Sequence, residues 1–262
     1  MKSLMDYLNM IVDHNQLIVR NDRRSKPLSH LKRTIAGLPP PRDFLAPFRD
    51  CRRVRVIAEL KKASPSKGLI RDDFPVEALA GALAEAGAAA LSVLTEPYYF
   101  RGSTENLQLA ARTVDIPLLR KDFIFDPYQI YQARALGADA VLLIAAILNP
   151  ARFDFLLKLT HELGMTALCE IHTESELETV LNSGAELIGI NCRNLRSFVT
   201  DLEIVRHLLD LIPDDKLVIA ESGIHNRRDL DRLRDAGADG FLIGEALMRA
   251  EKPGEKLREF IR

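Results

Sequence analysis

The stretch "VRVIAELKKASPSKG", residues 54–68, decides the fold and already suggests a site. On a β-strand alternate side chains point the same way, so Glu59 and Lys61 share the face of Ile57. An apolar strand fit for a protein interior therefore ends by aiming a carboxylate and an ammonium group into one space. The Ser-Pro-Ser-Lys-Gly segment that follows has the composition of a loop.

Seven more apolar runs follow, most of them leading into stretches with helical spacing. Several helical stretches end at glycine, as left-handed caps do, and Asp126-Pro127 and Asn149-Pro150 have the form of an N-cap followed by proline. Apolar strands separated by helices indicate a parallel sheet covered on its outer face. Eight such units over about 200 residues predict an α/β fold, the (β/α)₈ TIM barrel. The runs are residues 54–60, 89–95, 117–123, 139–145, 166–171, 186–191, 216–221 and 239–244.

A doubly wound open sheet is the closest structural alternative. That fold normally carries a glycine-rich nucleotide turn after an early strand, and neither GxGxxG nor GxxxxGK[ST] occurs here. The first 48 residues do not follow the repeat, although they show helical apolar spacing and a proline-rich stop. We therefore expect residues 1–48 to form an N-terminal helical extension packed on the barrel, and residues 49–262 to form the catalytic barrel domain.

Composition excludes several classes of protein. The 262 residues are 47% hydrophobic and 28% charged with a net charge of −1, which gives no bulk attraction to nucleic acid or membrane. The longest apolar run, residues 140–148, is much shorter than the roughly 20 residues that span a bilayer. Cys51, Cys169 and Cys192 form no CxxC pair, and no secretory signal is evident, so we expect a cytoplasmic protein. No spacing of histidines and carboxylates suggests a metal site.

Polar residues gather where the predicted strands end, which is where barrels carry their function. One explanation of these polar residues is a network of purely structural ion pairs at the rim of the barrel. Uncompensated buried charges cost several kcal/mol each, so two lysines and three glutamates together favour a charged ligand and acid/base chemistry instead. These residues, with one asparagine, are Glu59, Lys61, Lys121, Glu170, Asn191 and Glu221.

A phosphate site is predicted after strands seven and eight. Gly223 follows strand seven and Gly244 follows strand eight, and glycine lets the backbone approach a ligand closely. These two loops are the usual phosphate site of a barrel. Glu245 is compatible with it, since its side chain can point outward while its N–H faces the anion. Ser64, in the loop after strand one, is placed to cap the same anion.

Other reactive side chains have simpler explanations. His172 lies past the end of strand five, so we expect it in a solvated loop, and we expect His161 and His225 at the surface or at helix ends. Cys169 and Cys192 fall on the outward-facing positions of their strands, so neither is expected to be a nucleophile.

Eight segments resemble the indole-3-glycerol phosphate synthase family of tryptophan biosynthesis: "IAELKKASPSKG", "LSVLTEPYYFRGS", "LLRKDFIFDPYQI", "GADAVLLIAAIL", "CEIHTESEL", "IGINCRNL", "IAESGI" and "FLIGEALM". They cover roughly residues 54–250 in family order. The resemblance implies ring closure of 1-(2-carboxyphenylamino)-1-deoxyribulose 5-phosphate, with loss of CO₂ and water, to indole-3-glycerol phosphate. It implies no cofactor.

The resemblance also implies catalytic roles. Lys121 is similar to the general acid that protonates the ribulose carbonyl oxygen. Lys61 is similar to the partner of the substrate carboxylate and is a second candidate for the acid of the dehydration step. Glu170 is similar to the base of that step, while Glu59 and Asn191 correspond to groups that hold and orient the others.

Substrate-binding residues follow from the same resemblance. Glu221 corresponds to a ligand of the sugar hydroxyls. An apolar pocket for the anthranilate ring is implied by Phe100, Phe123, Leu142 and Leu242. The phosphate cradle is implied by Ser64, Ser222, Gly223, Gly244 and Glu245.

Two alternatives stay open. A neighbouring phosphosugar barrel enzyme, phosphoribosylanthranilate isomerase, uses an inward Cys/Asp pair, and no cysteine here is predicted to face the mouth. A barrel that only binds phosphosugars, as a sensor or scaffold, has no need of a carbonyl acid and a separate base. We expect a small phosphosugar as the partner, no nucleic acid or membrane partner, and a monomer or weak homo-oligomer.

Overall fold

Eight parallel strands close into a barrel in the computed structural model, which describes residues 4–49, 53–191 and 202–262. Neighbouring strands along the chain are paired, and the last strand returns to pair with the first. The predicted (β/α)₈ barrel is thus confirmed, and each predicted apolar run contains one strand. The strands are β1 (Val56–Leu60), β2 (Ala90–Leu94), β3 (Leu118–Lys121), β4 (Ala140–Ile144), β5 (Thr166–Ile171), β6 (Leu187–Asn191), β7 (Leu217–Glu221) and β8 (Gly240–Ile243).

Helices precede, connect and follow these strands. They are α1 (Leu4–Ser25), α2 (Leu28–Ala36), α3 (Val76–Glu85), α4 (Thr104–Thr113), α5 (Pro127–Ala135), α6 (Pro150–Glu162), α7 (Glu174–Asn182), α8 (Leu202–Leu209), α9 (Arg227–Asp235), α10 (Glu245–Arg249) and α11 (Pro253–Ile261). Short 3₁₀ turns span Ala46–Phe48 and Ala145–Ile147, and a small hairpin in the loop after β1 pairs Ala63–Ser64 with Gly68–Leu69. No helix in the described ranges combines the length and the apolar character needed to cross a membrane.

The predicted helix ends are confirmed. The Asp126 side chain accepts a hydrogen bond from the Tyr128 N–H at the start of α5, and Asn149 accepts one from the Arg152 N–H at the start of α6. Each is followed by proline at the first helical position, where no N–H donor is needed. Gly137, after α5, has φ of 90°, which is the left-handed conformation expected of a glycine cap.

Two cores lie on either side of the barrel wall. Val56, Ala58 and Cys169 pack outward with the helices, whereas Ile57 and Leu168 pack inside the barrel. This alternation confirms the predicted parity of the strands. It also explains why the strand ends bring charged side chains together, because residues two positions beyond the inner core point the same way.

The segment before the first strand contacts the barrel at the N-terminal end of its strands and, through α1, at their C-terminal end. Phe44 and Phe48 are fully buried in the inner core, and an added Cβ at Gly240, the first residue of β8, would collide with the Phe48 ring. Arg42 is tied to Asp139, whose carboxylate accepts hydrogen bonds from the Arg42 N–H at 2.7 Å and the Leu118 N–H at 2.9 Å. This segment therefore closes the N-terminal end of the barrel.

Helix α1 reaches the opposite end. Its Leu8 and Ile11 belong to the inner core, and its Asn15 amide lies 3.4 Å from Asp122 in the loop after β3. These contacts accord with an extension packed on the barrel. The division at residue 48 stays a prediction, because Phe44 and Phe48 share one core with the barrel strands.

Candidate active site

A cavity of about 180 Å³ lies at the C-terminal ends of the strands. All of the residues predicted to act on or bind a substrate line it. The ionisable and amide groups are Glu59, Lys61, Lys121, Glu170, Asn191 and Glu221, and the others are Ser64, Phe100, Phe123, Leu142, Ser222, Gly223, Leu242, Gly244 and Glu245. The structure thus brings the predicted set to one place, and the role of each residue stays a proposal.

Lys121, the last residue of β3, is the centre of the charged group. Its Nζ donates to Glu170 Oε2 at 2.8 Å and to Glu221 Oε2 at 2.6 Å. Burial lowers the pKa of Lys121, but the negative charges of Glu170, Glu221 and Glu59 outweigh burial and raise it above its usual value. Lys121 therefore holds its proton in the free protein.

The two carboxylates that share Lys121 differ in proton affinity. Burial raises the pKa of Glu170. The positive charges of Lys121 and His172 and a hydrogen bond from Asn191 outweigh burial and lower the pKa to about 2. For Glu221 the effect of burial prevails over the attraction of Lys121, and the charge of Glu170 adds to it, so its pKa rises to about 7. Neighbouring groups whose pKa values diverge in this way are typical of acid/base sites.

Glycines make room for two of these carboxylates. An added Cβ at Gly244 would collide with the carboxyl group of Glu59, and one at Gly189 would collide with Oε1 of Glu221. Glu59 is buried and pairs with Lys61. The sequence suggested that Gly244 serves a ligand, and the structure adds that it also accommodates Glu59.

A buried polar network holds the end of β3. Arg120 donates to Asp122 Oδ2 at 2.9 Å and to Thr95 Oγ1 at 3.0 Å, and the Thr95 hydroxyl donates to Asp122 at 2.5 Å. Asp122 also accepts from the Phe123 N–H at 2.8 Å. Because Arg120 and Asp122 flank Lys121 in the chain, the network fixes the backbone from which Lys121 projects.

The loop after β7 has an unusual backbone. Ser222 and Gly223 have φ of 69° and 70°, so two successive residues are left-handed, and only glycine adopts this conformation without cost. A non-glycine residue held in this region is a frequent sign of a functional site. Nearby, the Glu245 carboxylate accepts from Arg249 at 3.0 Å and lies 3.6 Å from Lys67 Nζ.

The other side of the cavity is apolar. The rings of Phe100 and Phe123 lie 6.0 Å apart between centroids, and Leu142 and Leu242 complete the predicted wall. Sequence reasoning missed further apolar lining residues, among them Leu8, Ile11, Leu94 and Ile144. The two from α1 carried no signal, because a helix outside the repeat has no predicted place at the mouth.

Glu96, which the sequence did not single out, organises the loop after β2. Its buried carboxylate accepts hydrogen bonds from the backbone N–H groups of Tyr98, Tyr99 and Phe100 at 3.0, 2.7 and 3.0 Å. The Glu96 carboxylate thereby fixes the backbone of the loop after β2, from which Phe100 reaches the cavity.

His172 corrects one expectation. Its side chain is only 12% exposed, and its ring nitrogens lie 3.5 Å from Glu170 Oε1 and 3.4 Å from Glu176 Oε2. It was expected in a solvated loop because it follows β5, but helix α7 begins two residues later and brings Glu176 over it. His161 and His225 are exposed, as predicted, although His225 borders the cavity.

The cysteines offer no nucleophile among the described residues. Cys169 is buried in the outer core, and burial raises the pKa of its thiol, so it stays protonated. Cys51 and Cys192 lie outside the described residues. Within the described ranges no group of three or more histidines, cysteines and carboxylates is arranged to hold a metal ion.

Comparison with known proteins identifies close relatives. A family model described as "Indole-3-glycerol phosphate synthase" matches residues 8–260. A protein of that name from Dehalococcoides mccartyi (strain CBDB1) is 46% identical over 258 residues, 97% of this chain and 99% of its own. Another from Koribacter versatilis (strain Ellin345) is 56% identical over 208 residues, 79% of this chain and 80% of its own.

Solved structures give the fold alone. The 3-hexulose-6-phosphate synthase from Salmonella typhimurium matches with a TM-score of 0.65 at 12% identity, covering 79% of this chain and 96% of that one. The thiamine phosphate pyrophosphorylase from Pyrococcus furiosus matches with a TM-score of 0.59 at 20% identity, covering 81% of this chain and 95% of that one.

Proposed function

Because the chain belongs to the indole-3-glycerol phosphate synthase family, we propose that it converts 1-(2-carboxyphenylamino)-1-deoxyribulose 5-phosphate into indole-3-glycerol phosphate, CO₂ and water. The observation that carries this proposal is the position of Lys121. Its ammonium lies between two buried carboxylates, in a cavity with an apolar wall on one side and a left-handed loop on the other.

Lys121 acts as the acid of ring closure. The aromatic carbon that bears the carboxylate attacks the ketone carbon, and the carbonyl oxygen takes a proton from Lys121 Nζ as the new C–C bond forms. The bond to the carboxylate then breaks, its electron pair restores the aromatic ring, and CO₂ leaves. The ammonium is stabilised by Glu170 and Glu221 until the developing alkoxide, a stronger base, arrives.

Glu170 acts as the base of dehydration. The hydroxyl formed in ring closure leaves as water after it gains a proton, while Glu170 removes the proton from the adjacent carbon. A pKa of about 2 keeps Glu170 ionised in the free protein, and the hydrogen bond from Asn191 orients it. Lys61, held by Glu59, is the partner of the substrate carboxylate and the second candidate for the acid of this step.

The remaining cavity residues bind the substrate. The aromatic ring packs against Phe100, Phe123, Leu142 and Leu242. Glu221 Oε1 is buried without a hydrogen-bond partner, which suits an interaction with a sugar hydroxyl. The phosphate binds at the cavity residues that follow β1, β7 and β8: Ser64, Ser222, Gly223, Gly244 and Glu245.

The segment before the barrel contributes to this site. We propose that residues 1–48 pack on the barrel as an extension whose helix α1 completes the apolar wall through Leu8 and Ile11. A cytosolic location, a monomeric or weakly oligomeric state and the lack of nucleic acid partners stay predictions.

The test uses the absence of tryptophan from the chain, which has only five tyrosines. Purified protein is mixed with the carboxyphenylamino-deoxyribulose phosphate without added metal, and indole emission is followed. Wild type and the surface control Lys158→Ala should give the same rise, because Lys158 is exposed and pairs with Asp154 at 2.7 Å on α6. Lys121→Ala should give none while calorimetry shows substrate affinity within a few-fold of wild type.

Two results would contradict the proposal. Near-normal turnover by Lys121→Ala would remove Lys121 from its role. Substrate binding without indole in the wild-type protein would leave only a phosphosugar-binding function. The isomerase alternative has little support, because the buried Cys169 packs with the helices instead of facing the cavity.

A further inference from the structure

His172 is a buried titratable group that the reaction described above does not use. Its ring lies between two carboxylates, with Nε2 3.5 Å from Glu170 Oε1 and Nδ1 3.4 Å from Glu176 Oε2. Both are ion-pair contacts of the charged imidazole, and neither ring nitrogen makes a hydrogen bond. Glu170 meets Lys121 through its other oxygen, Oε2. Four titratable side chains therefore form a row: Lys121, Glu170, His172 and Glu176.

One end of this row touches the cavity and the other touches water. The Lys121 side chain lines the cavity, whereas the Glu176 side chain, in the first turn of α7, is 19% exposed. His172 lies between them with 12% of its side chain exposed. The row thus connects Lys121 to solvent through the oxygen of Glu170 that does not face Lys121.

The proposed reaction creates a need for such a connection. The oxygen of the substrate ketone takes two protons before it leaves as water, one in ring closure and one in dehydration. Glu170 recovers only one proton, the one that it removes from carbon. Each turnover therefore consumes one proton, which balances the negative charge lost when the carboxylate leaves as neutral CO₂. Lys121 carries one proton to donate and has lost it before dehydration begins, while the substrate still fills the mouth.

We propose that His172 and Glu176 reload Lys121 with this proton, through Glu170, between ring closure and dehydration. The inference rests on the proposed function. In this view His172 is a positioning and relay residue that never touches the substrate, and Lys121 is the acid of both steps. Lys61 is then left to the substrate carboxylate.

The proton balance of the relay is simple. After ring closure, the His172 imidazolium gives a proton to Glu170 at Oε1, and the carboxyl group turns to pass this proton to the neutral Lys121. The imidazole regains a proton from solvent by way of Glu176. Lys121 then gives its proton to the leaving hydroxyl, and Glu170 accepts the proton from carbon. Transfer from Glu170 to Lys121 over their 2.8 Å hydrogen bond restores both groups.

The surroundings of His172 favour the charged imidazole that the relay needs. Burial lowers its pKa, but the contact with Glu176 and the charges of Glu170, Glu176 and Glu221 raise it, and the net direction is upward. The charges of these three carboxylates are the ones that raise it most, and Lys121 lies beyond Glu170. The Glu176 carboxylate also accepts a hydrogen bond from the backbone N–H of His172 at 2.6 Å, which fixes the carboxylate beside the imidazole ring.

The experiment compares His172→Ala and His172→Gln with the exposed control His161→Ala, using the indole assay from pH 6 to 9 with and without added imidazole. We expect kcat of both His172 variants to fall at least about tenfold at high pH, by the usual size of acid/base effects, with KM within about twofold. The loss should shrink as pH falls, because solvent then supplies the proton. Imidazole should restore much of the activity of His172→Ala. Glu176→Gln should show a smaller loss with the same pH trend.

Each other outcome overturns the relay. Unchanged kcat in both His172 variants shows that Lys121 is reloaded by another route, with Lys61 as the first candidate. A loss that is equal at every pH and is not relieved by imidazole shows a structural role. If His172→Ala does not fold, His172→Gln decides by its pH profile alone. Failure of the wild-type protein to form indole would instead refute the proposed function, so the two failures are distinguishable.

Discussion

Gly189→Ala should damage the site through a single contact. Gly189 lies in the middle of β6 on the inner face, where its backbone is that of an ordinary strand. A Cβ there would overlap Glu221 Oε1 and lie 3.2 Å from Leu168 Cδ1. Glu221 would have to retreat by more than about 1 Å to reach an ordinary contact distance. Its other oxygen accepts the 2.6 Å hydrogen bond from Lys121, so Lys121 would move or lose a partner.

The expected effect has two parts. Overpacking a buried site costs about 1–3 kcal/mol of unfolding free energy, and each kcal/mol lowers the melting temperature of a domain near this size by about 2–4 °C. A displacement of about 1 Å at a catalytic group lowers the rate by about a hundredfold, so kcat/KM in the indole assay should fall by that factor. Gly81→Ala is the matched control, because a Cβ at Gly81 has no neighbour within 4 Å and helix α3 gains stability from alanine.

A second background tests the cause. In a Glu221→Ala protein the added methyl group has room, so Gly189→Ala should cost less than about 0.5 kcal/mol there, and urea unfolding of the four proteins measures this. If Gly189→Ala destabilises both backgrounds equally, the contact with Glu221 is not the reason for glycine. If Gly189→Ala alone keeps kcat/KM within twofold, the position of Glu221 does not matter to the reaction.

Two further substitutions separate binding from stability. Ser222→Gly should raise the melting temperature, because the left-handed φ of 69° costs a non-glycine residue about 1 kcal/mol, and should raise KM severalfold if the serine binds phosphate; a lower melting temperature would contradict the strain. Arg42→Ala removes the side-chain contacts to Asp139 and to the Ile116 carbonyl, at 2.7 Å for the latter, and should cost about 1–3 kcal/mol in urea unfolding without changing kcat. A large loss of kcat would instead place this tie among the groups that shape the site.

The sequence predicted those parts of the molecule that depend on short-range periodicity. The alternation along β1 and β5 placed Glu59, Lys61 and Glu170 on the inner face because strand parity is a local property. The parallel repeat then brought the strand ends to one mouth, since a closed barrel leaves no other arrangement. Residues distant in the chain could therefore be assigned to one site without knowing any contact.

What the sequence could not predict depends on the packing of elements outside the repeat. Leu8 and Ile11 line the cavity because α1 lies across the barrel mouth, and no local pattern gives the place of a helix that precedes the first strand. His172 was misplaced for a similar reason. Glu176, four residues along and in the next helix, lies against its ring, and a carboxylate that returns to a strand end leaves no periodic signal.

The charge at the cavity also bears on why carbon dioxide should leave there. Two ammonium groups face three carboxylates: Lys61 and Lys121 against Glu59, Glu170 and Glu221. Burial makes this surplus of negative charge costly, and with the repulsion of Glu170 it raises the pKa of Glu221 to about 7. The substrate brings one more carboxylate to these groups and loses it as a neutral molecule. The same surplus that raises the pKa of Glu221 therefore favours decarboxylation.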